Sequence, residues 1–121
     1  HQLREGNKSQ KSLMTLADNG GGIGFVFGEE IQDWQSVDFQ QHLIDLRVDD
    51  QPSADNFLRE MRCIPIEALA DLINHLGKRG ISLNEGNFIS TGAATVPQPF
   101  SKESKVSADF GFLGRIELQF S

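Results

Sequence analysis

The sequence predicts an α+β domain, a mostly antiparallel sheet assembly packed by one main helix at about residues 65–78. Three observations carry this expectation. Apolar residues after Pro65 recur at three- and four-residue steps, the period of a helix with one apolar stripe. Ile116, Leu118 and Phe120 alternate with Arg115, Glu117 and Gln119, the mark of a strand with one wet face. The remaining apolar runs are short and separated by glycine-containing turns.

Taken in order, His1 to Lys11 is polar, and residues 1–16 read as a lead-in or the remnant of a truncated element. Gly20-Gly21-Gly22 removes side-chain bulk and permits positive φ, so the backbone can turn tightly or approach a ligand. Ile23 to Gly28, rich in β-branched and aromatic residues, reads as a short buried strand. Glu29 to Asp38 is a polar connection. In Phe39 to Val48, the residues His42, Ile44, Leu46 and Val48 share one side of a strand. Asp49-Asp50-Gln51-Pro52 is a turn. Ser53 to Cys63 reads either as a helical turn or as an irregular strand.

The helix follows, with Pro65 suited to its first position because a proline lacks the N–H that would go unpaired there. Ile66, Leu69, Ala70, Ile73 and Leu76 form its stripe, and Gly77 to Gly80 supplies the stop. Beyond it come Phe88-Ile89-Ser90, after the turn Asn84-Glu85-Gly86, and then a hairpin. Its strands are Val106 to Phe110 and Arg115 to Phe120, joined through Gly111 to Gly114. The nine Phe residues are expected in the core.

Eleven Lys and Arg against seventeen Asp and Glu give a formal net charge of −6. Nucleic acid needs a basic footprint and anionic membrane surfaces attract polybasic segments, so neither is an expected partner. The single cysteine, Cys63, rules out an internal disulfide and fits a reducing cytoplasm. The first residue is His1, with no initiator Met, as expected for a start inside a longer protein; removal of a tag would leave the same mark.

The segments, taken together, resemble a known family. Ala17-Asp18-Asn19 followed by Phe25-Val26-Phe27-Gly28 resembles the "ADN…G…VLG" signature of 2-keto-4-pentenoate hydratases, in the fumarylacetoacetate hydrolase superfamily. Pro65 with Ala68, Leu69, Leu72 and Leu76 is similar to their helix after a proline. Gly80 to Gly92 is similar to "G-I-x-L-x-x-G-D-x-I-x-T/S-G", and Val106 to Phe120 to their closing "V-x-A-x-F-x-x-L-G-x-V-x-L-x-F". The likeness runs from Ala17 onward, so residues 17–121 read as the C-terminal part of such a catalytic domain.

The resemblance implies a mixed β-roll and, in the complete enzyme, Mg²⁺ or Mn²⁺ chelating the 2-keto-acid head of the substrate. The family's ligands, a Glu-x-Glu pair and a further acid, stand upstream of its "ADN" motif. This sequence contains no Glu-x-Glu, so this chain alone is expected to bind no metal and to be inactive in isolation. The missing N-terminal part of the same protein is then a partner. A homo-oligomer is expected too, since open strand edges recruit other chains. Gly20 to Gly22 departs from the family, which commonly has a serine there, and that supports a second expectation: a non-catalytic β-roll used for binding or assembly.

By the same resemblance, the Thr91 hydroxyl and the backbone at Gly92 would bind the carboxylate of a small 2-keto acid. A strand-end turn without ligand is the plainer alternative. Asp18, Asn19 and Gly21 either line the pocket or form a tight structural turn. His42 and His75 lack ligand-spaced partners, so zinc is not expected. Asp49, Asp50 and Asp55 read as an acidic turn, Cys63 as a buried small hydrophobe, and Ser101 to Lys105 as a solvated loop.

Overall fold

The computed structural model describes residues 24–121. Its centre is a three-stranded antiparallel sheet in sequence order, built from β1 (Asp45–Val48), β2 (Lys105–Asp109) and β3 (Arg115–Gln119). Among the described residues one α-helix, α1, spans Pro65–Lys78. The α+β expectation therefore holds, with one helix and an antiparallel sheet.

Register explains why the strands form. Leu46 pairs with Ala108 and Val48 with Val106, while Val106 pairs with Leu118 and Ala108 with Ile116. Because side chains alternate along a strand, these six apolar residues share one face. The other face carries Asp45, Arg47, Ser107, Arg115 and Glu117, with ion pairs Arg47–Asp45 at 2.8 Å and Arg115–Glu117 at 2.7 Å. The hairpin turns through Gly111–Leu113 and closes with Phe110 N–H donating to Gly114 O at 2.8 Å.

The two sheet edges differ. The outward carbonyls of β1, and both backbone groups of Ile44 just before it, are bonded by the segment that follows. The Asn56 side chain accepts from Ile44 N–H and donates to Ile44 O, both at 2.8 Å. Ala54 N–H donates to Leu46 O at 2.8 Å and Gln51 N–H to Val48 O at 3.1 Å. In the β2–β3 ladder, Phe110 bonds to Gly114 and Phe120 to Ser104, so the amides of Arg115, Glu117 and Gln119 point away from β2. Among the described residues, that edge is open.

α1 starts at Pro65, as its sequence predicts, and ends in a Schellman motif. Gly80, at φ +68°, donates to Gly77 O, and Ile81 N–H reaches back to Leu76 O at 3.0 Å. Its inward stripe differs from the expected one. Pro65, Ala68, Leu69, Leu72 and Leu76 are half-buried, whereas Ile66, Ala70 and Ile73 are exposed. Apolar residues wrap more than half of the helix circumference, and periodicity alone does not say which part meets the protein. Nor does α1 pack the sheet: among the described residues it makes no extensive contact with any strand.

Two expected strands are absent. Residues 24–28 join no ladder; Phe25 and Phe27 are exposed and lean on each other and on Phe88, with ring centroids 4.9 and 4.4 Å apart. Phe88-Ile89-Ser90 is likewise outside the sheet. β-propensity needs a neighbouring strand to become a ladder, and among the described residues none pairs with either segment. Five of the nine Phe residues (25, 27, 88, 100 and 112) are exposed, contrary to a core role. Three short strands offer one small apolar face, and among the described residues the buried apolar ones are Val37, Val48 and Ala54.

The 53–63 segment resolves as an isolated bridge, Asn56 to Thr95, followed by a short 3-10 turn over Arg59–Met61. Nor is residues 101–105 a simply solvated loop. Ser104 is 3% exposed, and its hydroxyl donates to Asp49 Oδ2 while accepting from Ser101 N–H. Asp49 Oδ1 also accepts Lys105 N–H at 2.8 Å, so this acid of the expected acidic turn ties β1 to β2.

Candidate functional site

Thr91 and Gly92, the site residues expected from the family likeness, lie beside the entrance to α1. The hydrogen bonds Phe57 N–H to Ala94 O (2.9 Å) and Val96 N–H to Asp55 O (2.8 Å) align 94–96 with 55–57. This alignment brings Thr91 against Cys63, whose thiol donates to Thr91 O at 3.1 Å. Cys63 is therefore half-buried and hydrogen-bonded, not the fully buried hydrophobe expected. Gly92 has φ +149°, and a Cβ there would stand 2.8 Å from Cys63 Sγ and 2.9 Å from its Cβ. Only glycine fits without displacement.

Gly92 and Cys63 line a cavity of about 210 Å³. Its apolar wall is built by Phe39, Ile44, Pro65, Ala94, Phe110 and Leu113, and its polar members are His42 and Arg62. Thr91 does not line it, although its half-buried hydroxyl makes no hydrogen bond among the described residues. A second cavity of about 420 Å³, bounded by Gly28, Ile31, Arg115 and Ile116, shares Phe110 and Leu113 with the first.

Two groups at this cavity escaped the sequence reading as site residues. His42 Nε2 lies 2.6 Å from Phe110 O; a carbonyl only accepts, so this nitrogen carries a proton. Its ring meets Phe112 edge-on at 5.1 Å. Arg62, 7% exposed, donates through Nε to Phe39 O at 2.8 Å and through Nη2 to His42 O. Shared parity with Ile44 pointed His42 inward, whereas nothing in the irregular run before Pro65 singled out Arg62.

Asp18, Asn19 and Gly21 fall outside the described residues. Among the described residues, no group of three or more His, Cys, Asp or Glu is positioned to hold a metal ion, so these side chains do not fit the divalent cation that the family resemblance implies. No helix described is long and apolar enough to cross a membrane. No protein-family model, curated protein or solved structure matches the chain.

Proposed function

We propose that this chain forms the C-terminal part of a hydratase or related lyase of the 2-keto-4-pentenoate hydratase type, acting on small 2-keto or 2-hydroxydienoic acids in the cytoplasm. The observation that carries the reading is the order and spacing of four motifs from Ala17 to Phe120. A mixed β-roll and a homo-oligomer belong to the same proposal. In it, Thr91 and Gly92, with Asp18, Asn19 and Gly21, bind the substrate carboxylate. The Thr91 hydroxyl, which makes no hydrogen bond among the described residues, supports that role. When bound, Mg²⁺ or Mn²⁺ would neutralise charge on the keto-acid oxygens, held by acids of the N-terminal part.

Turnover of 2-hydroxypenta-2,4-dienoate with Mg²⁺ tests the division of labour. These 121 residues alone are expected to be inactive, and a mixture with a polypeptide bearing the family's Glu-x-Glu half to be active. Thr91→Val is expected to raise KM in that mixture. Turnover by this chain alone would overturn the proposal. An inactive mixture that still binds 2-keto acids would favour the non-catalytic module, for which Gly20 to Gly22 in place of a serine speaks.

A further inference from the structure

Among the described residues, Arg62 is a buried cation held entirely by neutral groups. Its Nε and Nη2 use the carbonyls of Phe39 and His42, and Nη1 reaches only Asn56 Oδ1 and Phe57 O, each at 3.5 Å. Carbonyls satisfy hydrogen bonds but leave the charge uncompensated, and an uncompensated buried charge is costly. The ion pairs among the described residues use Arg47 and Arg115 instead. Arg62, Phe39 and His42 all line the 210 Å³ cavity, and among the described residues no Asp or Glu does. Pro65, the first residue of α1, lines it too, so the positive end of a 14-residue helix adds to the field there.

We infer that this cavity binds a small monocarboxylate, its carboxylate against Arg62 and its short apolar tail against Ile44, Ala94 and Leu113. With Nε and Nη2 engaged by carbonyls, the loosely held Nη1, whose two contacts are both 3.5 Å, is the nitrogen that meets the carboxylate, and the remaining wall is apolar. At about 210 Å³ the space lies below the roughly 300–1,000 Å³ of drug-sized sites, so the ligand has few heavy atoms. The inference does not rest on the hydratase reading. A purely structural Arg62, pinning Phe39–His42 to Asn56–Phe57, would show no preference for anions.

Cys63, the sole cysteine, stands in the same wall and serves as the reporter. Its alkylation rate is measured with iodoacetate and with neutral iodoacetamide, in the native chain and in urea. Both reagents attack the same thiolate, so the ratio of rates cancels its ionisation. The native ratio of iodoacetate to iodoacetamide is expected to exceed the unfolded one by about tenfold or more, as in clefts that focus one sign of charge. Butyrate is expected to slow alkylation at constant ionic strength, and butyramide to leave it unchanged.

Equal ratios in the native and unfolded chain would overturn the inference. So would equal protection by butyramide, or a raised ratio without protection by butyrate. Arg62→Met is expected to return the ratio to its unfolded value. If circular dichroism shows that variant unfolded, the wild-type ratio and protection decide alone. Protection by butyrate together with an inactive two-part mixture would keep this site while withdrawing the keto-acid enzyme, so the two proposals fail separately.

Discussion

Gly92 shows how one residue's freedom is spent on a neighbour. Adding a methyl at 2.8 Å from Cys63 Sγ, at φ +149°, forces the two segments apart. Gly92→Ala is expected to cost about 1–3 kcal/mol, from overpacking and backbone strain. Cys63→Ala should recover part of that loss, since it removes Sγ but leaves Cβ. Urea unfolding of both single variants and the double variant measures the coupling. Asp45 makes a second residue-scale case. The Arg47 guanidinium, bonded to Asp45 Oδ1 at 2.8 Å and Oδ2 at 3.0 Å, holds its carboxyl below the ordinary 3.8. A depressed folded pKa gives stability that is fully present above the unfolded value and fades as pH falls through the folded one. Asp45→Asn is therefore expected to destabilise slightly at pH about 7 and to match the wild type in acid, below the folded pKa. Denaturation at both pH values checks the sign; an equal deficit at each would exclude the ion pair as its cause.

At the scale of elements, the sheet depends on a side chain acting as backbone. Asn56 presents one acceptor and one donor to Ile44, so it extends β1's edge by a two-bond bridge that no strand supplies. Asn56→Ala leaves Ile44 N–H and O without those partners. With about 1 kcal/mol per bond and more where a group stays buried, a loss of about 1–3 kcal/mol is expected by urea denaturation. This arrangement was not legible in advance. Residues 53–63 lack any period, and their organisation comes from contacts with residues 44 and 94–96, distant in sequence. α1 was legible at both ends because its signals are local: Pro65 opens it, and Gly80 takes the left-handed cap.

For the whole molecule, the unequal edges of the sheet matter most. The outward carbonyls of β1 are bonded by residues 51–54, whereas the outward amides of Arg115, Glu117 and Gln119 on β3 remain open among the described residues. Open edges recruit strands, and the exposed Phe25, Phe27, Phe88 and Phe112 add apolar surface. Under the proposed reading the chain self-associates through β3. Analytical ultracentrifugation is expected to show dimers or larger species, and Glu117→Pro, which removes an outward N–H, to shift them toward monomer. A strict monomer across concentration would overturn this part of the proposal.

Elements whose causes lie within a few residues could be read along the chain. These are α1 from Pro65 to its glycine cap, the β2–β3 hairpin with one wet face, the 49–52 turn and the Asn84–Asn87 turn with Gly86 at φ +88°. Tertiary structure alone decided which part of α1 turns inward, that residues 24–28 and 88–90 stay outside the sheet, and that Arg62 and His42 join Gly92 around one cavity. The physical reason is the range of the interactions. Periodicity and turn chemistry act along the chain, but burial and charge compensation depend on neighbours that only folding brings together.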